Sequence, residues 1–167
     1  MAENSKSAFD CAMKLLGVRP YSEYELCQKL QQKGYGIKEI NSALVDCLRY
    51  GFLNDELYAH DYANILSSRG YGKFVIARKL KEKHLDDKFI QQALAKLETE
   101  NDNAKKAFDF KIRMLKNEKD PKKHQEKLYR FMLSRGFSSD IIRQLYSEYH
   151  KKLYHALGAC QGSRTDG

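Results

Sequence analysis

The sequence has no tryptophan, only two prolines in 167 residues, and no long apolar stretch free of charge. A membrane-spanning helix needs roughly 18 consecutive apolar residues, so no membrane association is predicted. The scarcity of proline excludes a collagen-like or proline-rich chain. The N-terminal segment lacks the apolar region of a secretory signal, which predicts a cytoplasmic protein.

Motifs for catalysis, metal binding and phosphate binding are also missing. The five histidines are scattered, the four cysteines form no C-x-x-C pair, and no glycine-rich phosphate loop occurs. The acidic pairs Asp55-Glu56 and Asp86-Asp87 fall at predicted helix starts, where the helix dipole favours negative charge. We therefore expect no enzymatic activity, no metal and no cofactor. The cysteines are expected to be free thiols that pack as small apolar side chains.

The apolar residues that are present recur at helical spacing along almost the whole chain. This pattern predicts an all-α protein without a sheet. Nine helices are predicted, followed by a flexible tail over 155–167. The helices are expected over 8–17, 22–33, 37–49, 54–68, 72–83, 86–99, 102–117, 120–134 and 138–154.

Helix ends carry explicit signals. Ser22 and Glu25 predict a capping box, in which the Ser22 hydroxyl accepts an amide and the Glu25 carboxylate reaches back to the cap. Asp120 before Pro121 predicts another helix start. Further N-caps are expected at Asn54, Asp86 and Ser138, and left-handed residues after helices at Gly34, Gly51 and Gly136.

An internal repeat of about 50 residues underlies the helices. Residues 16–44 match residues 66–94 at ten of 29 positions, where roughly two matches arise by chance. A third copy lies 102 residues from the first. In each copy, apolar residues five positions apart flank the helix starts, which is the spacing of a hydrophobic staple. Three tandem three-helix repeats are predicted, over 1–52, 53–101 and 102–154, forming an elongated, curved, right-angled helical array.

The positive charge is concentrated in the last third of the chain. Residues 104–167 hold 15 basic and 7 acidic residues, whereas residues 1–61 hold 7 and 9. This asymmetry indicates an anionic partner for the third repeat, although a charged run can also be an ordinary solvated helix face. The candidate partner-binding residues are Arg69, Tyr71, Lys73, Arg78, Lys79, Lys83, Lys111, Arg113, Lys116, Lys122, Lys123, Lys127, Arg130 and Arg135.

Several of these residues lie in motifs that resemble the RecX family of bacterial RecA regulators. The resemblance spans about residues 9–150, and its most specific parts are the G-F-L-N-D run from Gly51 and the R-G-Y-G run from Arg69. The chain departs from the family pattern at Asn54, where Asp is commoner, and at His84, where Gly is usual. The other matching residues are Arg19, Ser22, Glu25, Leu26, Tyr58, Ala59, Ile76, Leu80, Lys83, Arg135, Gly136, Phe137, Ile141 and Ile142.

The resemblance implies a fold of three tandem three-helix repeats and a function. Family members bind the RecA filament on single-stranded DNA, lie along its groove, and inhibit ATP hydrolysis, strand exchange and co-protease activity. The implied partner is the RecA nucleoprotein filament, and a monomer is expected. Two alternatives stay open: a helical module that binds single- or double-stranded DNA directly, and a helical adaptor for another protein.

Overall fold

The computed structural model describes the backbone of residues 7–97 and 100–161, and the side chains of residues 7–97 and 101–151. Over these residues the chain is helical, with nine helices and no strand, so the predicted all-α class is confirmed. Helix α9 runs seven residues beyond its predicted end into the predicted tail. The helices are α1 Ala8–Leu16, α2 Glu23–Gln32, α3 Ile37–Arg49, α4 Asp55–Ser68, α5 Lys73–Lys81, α6 Asp87–Ala95, α7 Glu100–Met114, α8 Pro121–Ser134 and α9 Ser139–Gln161.

The predicted N-caps all accept amides at helix starts. Ser22 accepts from the Glu25 amide at 3.2 Å, and Asn54 accepts from the Leu57 amide at 2.9 Å. Asp86, Asp120 and Ser138 cap α6, α8 and α9 in the same way. An unpredicted capping box joins Ser7 and Asp10 at the start of α1. Local sequence therefore sets where these helices begin.

The predicted capping box of α2 forms only in part. The Ser22 hydroxyl accepts from the Glu25 amide as predicted, but the Glu25 carboxylate does not accept from the Ser22 amide. It accepts instead from Lys83, Arg19 and Tyr58. The prediction for Glu25 was wrong because three side-chain donors, of which Tyr58 and Lys83 are distant in sequence, compete with the single local amide.

The turns after the helices have left-handed backbones. Gly34, Gly51 and Gly136 have φ of 88°, 73° and 87°, as predicted. His84 takes φ of 55° at the position where the resemblance implied glycine. Its ring stacks on Tyr24 with centroids 3.7 Å apart. The turn therefore keeps its left-handed backbone without a glycine.

The chain divides into two compact units, and the first comprises residues 7–65 and 77–97 of the described chain. Its core contains Ala12, Leu26, Leu30, Ile40 and Cys47, all at most 1% exposed. Cys11, Cys27 and Cys47 are free thiols, half-buried or buried, whereas the side chain of Cys160 lies outside the described residues. In this unit Asp55 accepts from the Glu23 amide at 2.8 Å, which fixes the start of α2 against that of α4.

The second unit comprises residues 66–76 and the chain from residue 100 onwards. Its core is built from α7, α8 and α9 around Phe108, Leu128, Met132, Phe137 and Ile142. The link from α4 to α5 belongs to this unit, because the buried amide of Asn103 donates to the Ser67 hydroxyl at 2.9 Å.

Repeated apolar positions flank the helix starts in both units. In four of the six predicted staple pairs both residues are buried, and in two the tyrosine, Tyr35 or Tyr71, is half-buried. Burying apolar surface on both sides of a cap favours one angle of chain entry. The six pairs are Tyr21–Leu26, Tyr35–Ile40, Leu53–Tyr58, Tyr71–Ile76, Leu85–Ile90 and Phe137–Ile142.

Candidate partner-binding surface

Three of the predicted partner-binding residues lie in the first unit, near the end of α5. Arg78 is exposed and pairs with Glu82 at 3.7 Å, while Lys79 is half-buried. Lys83 is only 27% exposed, and its Nζ lies 2.7 Å from Oε1 of Glu25. Its carbonyl oxygen accepts from the Ser22 hydroxyl at 3.0 Å. Lys83 therefore holds the end of α5 to the start of α2.

Glu25 is the centre of that contact. Besides Lys83, it accepts from Arg19 at 3.4 Å and from the Tyr58 hydroxyl at 3.0 Å. Burial alone would raise the pKa of Glu25, but these hydrogen bonds outweigh burial and hold the pKa below its usual value. Burial and the Glu25 charge together raise the pKa of Tyr58. The carboxylate is thus kept ionised by three donors, an arrangement typical of a structural ion pair.

In the second unit, two turns of similar sequence meet through their main chains. One contains Arg69, Gly70, Tyr71 and Gly72, and the other contains Arg135, Gly136 and Phe137. The Gly72 amide donates to the carbonyl oxygen of Arg135 at 2.8 Å, and the Phe74 amide donates to that of Gly136 at 3.2 Å. A Cβ on Gly72 would lie 2.3 Å from the Gly136 oxygen. The R-G-Y-G motif therefore requires glycine at position 72 for steric reasons.

Cations and rings gather beside these two turns. Arg135 donates to the carbonyl oxygen of Arg69 at 3.1 Å and lies 5.1 Å from the centre of the Tyr71 ring. Arg135 and Lys111 also lie 5.3 and 5.2 Å from the Phe131 ring. The structure thus brings together Arg69, Tyr71, Lys111 and Arg135. Phe131 was missed from sequence, although its spacing of four residues from Arg135 places both on one helix face.

Part of the predicted basic surface of α8 is neutralised by neighbouring carboxylates. Lys127 pairs with Glu118, Arg130 with Glu126, and Lys123 approaches Asp120 at 4.0 Å. The hydrogen bond from Lys127 lowers the pKa of Glu118. These cations offer less positive charge to a partner than the sequence suggests.

Three other predicted cations keep their charge uncompensated. Arg113, Lys116 and Lys122 are exposed. Over residues 7–97 and 101–151, none of the three forms an ion pair. The remaining predicted residue, Lys73, is half-buried at the start of α5. These three uncompensated charges lie near the end of α7 and the start of α8.

The described residues hold no cluster of three or more His, Cys, Asp or Glu side chains suited to a metal ion. Within the same part of the chain, no helix combines the length and apolar character needed to cross a membrane.

When the chain is compared with known proteins, three domain models of one family match consecutive segments of the chain, in the family's own order. Models of the RecX family match as its first three-helix domain over residues 8–47, its second over 54–94 and its third over 98–145. The regulatory protein RecX of Legionella pneumophila (strain Corby) is 36% identical over 147 residues, which cover 84% of this chain and 93% of that relative. The regulatory protein RecX of Vibrio vulnificus (strain CMCP6) is 32% identical over 142 residues, covering 85% and 92%.

Solved structures share the fold. The crystal structure of RecX from Lactobacillus salivarius superimposes with a TM-score of 0.76 at 21% identity, and the match covers 84% of this chain and 93% of that one. A second crystal structure of a regulatory protein RecX also gives 0.76, at 20% identity, covering 84% and 70%.

Proposed function

The chain belongs to the RecX family of regulatory proteins, and on that basis we propose that it binds RecA filaments on single-stranded DNA and inhibits them. The inhibited activities would be RecA's ATP hydrolysis, strand exchange and co-protease function, and the setting would be the cytoplasm. The observation that carries the proposal is the match to all three family domains, in order, along nearly the whole chain.

The charges of the second unit support an anionic partner. A filament that carries DNA is strongly acidic, and exposed cations steer and strengthen association with it. Arg113, Lys116 and Lys122 are exposed without an ion pair in the described residues. These three residues are the part of the predicted surface that we propose contacts the filament.

We further propose that the protein acts by binding alone and has no turnover of its own. Inhibition should then saturate when the filament sites are filled, because each bound molecule acts only where it sits. The purified chain should hydrolyse no ATP. An ATPase that co-purifies with the chain and is lost on changing one of its residues would contradict this.

The test is RecA's DNA-dependent ATPase, measured with increasing amounts of the full chain. The expected result is a saturating decrease in hydrolysis, together with co-sedimentation of the chain with filaments. A direct DNA-binding module would instead shift naked DNA and leave filament ATPase unaffected at concentrations that do not strip RecA. An adaptor for another protein would neither shift naked DNA nor decrease the filament ATPase. Unchanged ATPase at saturating protein would overturn the proposal.

A further inference from the structure

Helix α3 of the first unit has apolar side chains on two of its sides. One side belongs to the core and includes Ile40 and Leu44. The other side is exposed and contains Ile37, Val45 and Leu48, which are 69%, 62% and 44% exposed. Residues eight and eleven positions apart lie close to one helix face, so these three side chains form a single line. We call this line the α3 stripe.

The α3 stripe has the character of an interaction surface. Apolar side chains that are exposed singly are normal on a protein, whereas a group that shares one exposed face marks a site of contact. The stripe extends from residue 37 to residue 48, which is about 16 Å at a rise of 1.5 Å per residue. A partner that covers the whole stripe must therefore extend along about three helical turns.

An acidic groove begins where the α3 stripe ends. The groove lies between the end of α3, the starts of α2 and α4, and the segment around the start of α6, and its volume is about 740 Å³. Leu48 and Phe89 both line it, so the apolar surface of the stripe continues into the groove. Its acidic lining residues are Glu23, Asp55, Glu56 and Asp86.

The negative charge of this acidic groove is largely uncompensated. Glu23, Glu56 and Asp86 are exposed, and over residues 7–97 and 101–151 none of the three forms an ion pair. The fourth acid, Asp55, accepts from a main-chain amide rather than from a cation. Lys88 adjoins the groove through its contact with the aromatic wall, and one cation leaves the four acids in excess. The groove therefore favours a cationic partner.

We propose that the α3 stripe and the acidic groove together dock a basic amphipathic helix of a partner protein. The apolar side chains of that helix cover Ile37, Val45 and Leu48, and lysine or arginine side chains at one of its ends enter the groove. An amphipathic helix fits because its apolar residues recur at i, i+4, i+7 and i+11, which matches the length and line of the stripe.

Other occupants match only part of this surface. A small polycation would satisfy the acids but would leave the α3 stripe exposed, and a nucleic acid would be repelled by the carboxylates. Two copies of this chain each carry a net charge of +8 and repel one another at long range, so a second copy is a poorer match than a basic segment of another protein.

The proposal concerns the first unit alone and does not depend on the filament function. The filament contact is placed on exposed cations of the second unit, and the test below contains neither RecA nor DNA. Failure of the docking proposal would leave filament inhibition untouched. Failure of filament inhibition would likewise leave the docking proposal standing.

The experiment measures binding of model peptides to the full chain by fluorescence anisotropy. The probe is a labelled 15-residue helical peptide with leucine at positions 2, 6, 9 and 13 and three lysines in its last turn. One comparison peptide has glutamate in place of the lysines, and another has serine in place of the leucines. Each comparison peptide should bind at least about tenfold more weakly, because one meets like charge in the groove and the other has lost the apolar contacts.

Variants of the α3 stripe test the apolar part of the contact. Val45→Ser with Leu48→Ser should weaken binding of the probe about tenfold, the order expected when two partly exposed aliphatic side chains lose their contacts. The matched control is Phe110→Ser with Met114→Ser, two exposed apolar residues of the second unit, and it should leave binding unchanged. All four side chains are exposed, so circular dichroism should show the same helicity in both variants.

Variants of the acidic groove test the charged part. Glu23→Gln with Glu56→Gln should weaken binding of the probe and flatten its dependence on salt, because two of the attracting charges are gone. The matched control is Asp102→Asn with Asp109→Asn, two exposed acids of the second unit. This control should change neither the affinity nor the salt dependence.

Three outcomes would overturn the proposal. One is displacement of the probe by spermidine together with equal binding of the serine peptide, which would make the groove a site for any polycation. Another is an affinity that both groove and stripe variants leave unchanged. The third is a concentration-dependent rise in the mass of the chain alone that Val45→Ser with Leu48→Ser abolishes, which would assign the stripe to a second copy.

Discussion

Lys83 donates from Nζ to Oε1 of Glu25 at 2.7 Å, although 58 residues separate them in the chain. The contact fixes the segment after α5 to the first turn of α2 and is reinforced by the Ser22 hydroxyl on the Lys83 carbonyl. Glu25 is only 16% exposed, so solvent screens this ion pair less than a surface pair. Lys83 therefore has a structural role that its place in a run of basic residues does not reveal.

The first prediction is a pH-dependent contribution of Glu25 to stability. Its pKa is lower in the folded chain than in the unfolded one, so its contribution is present above the unfolded pKa of about 4.3. The contribution is lost as the pH falls through the folded pKa. Glu25→Gln should therefore cost about 1–2 kcal/mol at pH 7, as expected for hydrogen bonds to a charged group.

Urea unfolding of the wild type and of Glu25→Gln at pH 7 and at successively lower pH checks this prediction. The difference between the two proteins should shrink as the pH falls below the unfolded pKa of about 4.3 and through the lower folded pKa, because the wild-type carboxylate then becomes protonated. Glu23→Gln, an exposed neighbour in the same helix, is the control and should show a smaller difference at pH 7. A constant gap between Glu25→Gln and wild type across this range would contradict the assignment.

The second prediction concerns the contact between the two R-G-aromatic turns. Gly72→Ala places a Cβ 2.3 Å from a main-chain oxygen, and the main chain cannot move aside as a flexible side chain can. Overpacking of this kind typically costs about 1–3 kcal/mol. The melting temperature should fall accordingly. Gly17→Ala is the matched control, because its φ is −67° and its Cβ would meet nothing closer than 3.4 Å.

The third prediction separates backbone strain from ring stacking at His84. His84→Ala loses the stack on Tyr24 and keeps the left-handed backbone, whereas His84→Gly loses the stack and relieves the backbone. The left-handed conformation costs a residue with a Cβ roughly 1–2 kcal/mol. The alanine variant should therefore be less stable than the glycine variant by about 1 kcal/mol in chemical unfolding. Equal stabilities would mean that the turn rearranges.

The fourth prediction tests which lysines serve the filament. Lys116→Glu with Lys122→Glu reverses two uncompensated charges, and Lys33→Glu with Lys38→Glu reverses two exposed charges in the first unit. Each exposed change should alter stability by no more than about 0.5 kcal/mol. Only the first pair should strongly weaken co-sedimentation with RecA filaments and inhibition of their ATPase. Equal losses from both pairs would show that charge asymmetry does not locate the contact.

The helices and their caps could be predicted because their signals are local. Ser22, Asn54, Asp86, Asp120 and Ser138 each cap an amide two or three residues away, so the sequence around them contains both partners. The repeat was visible for a related reason, since each copy needs the same apolar spacing to enter its helices at the same angle. The two most specific family motifs, the run from Gly51 and the run from Arg69, could also be recognised because they lie in the turns between helices.

The contacts of the candidate site were less predictable, because they join residues far apart in sequence. Composition gave the surplus of cations but could not show that Lys127 pairs with Glu118 while Lys116 has no such partner in the described chain.

The close contact between Gly72 and Gly136 depends on the absence of a side chain at both positions, because a Cβ at either glycine would clash with the other turn. Its hydrogen bonds run between main-chain groups, so they do not depend on the neighbouring side chains, provided that no proline replaces a residue whose amide donates. Random mutation of the second unit should therefore show near-complete intolerance at these two glycines and tolerance at exposed neighbours such as Arg69 and Ser134. A designer who transplants this pair of turns into an unrelated helical scaffold would therefore need to keep the backbone path of both turns and a glycine at each of the two contact positions.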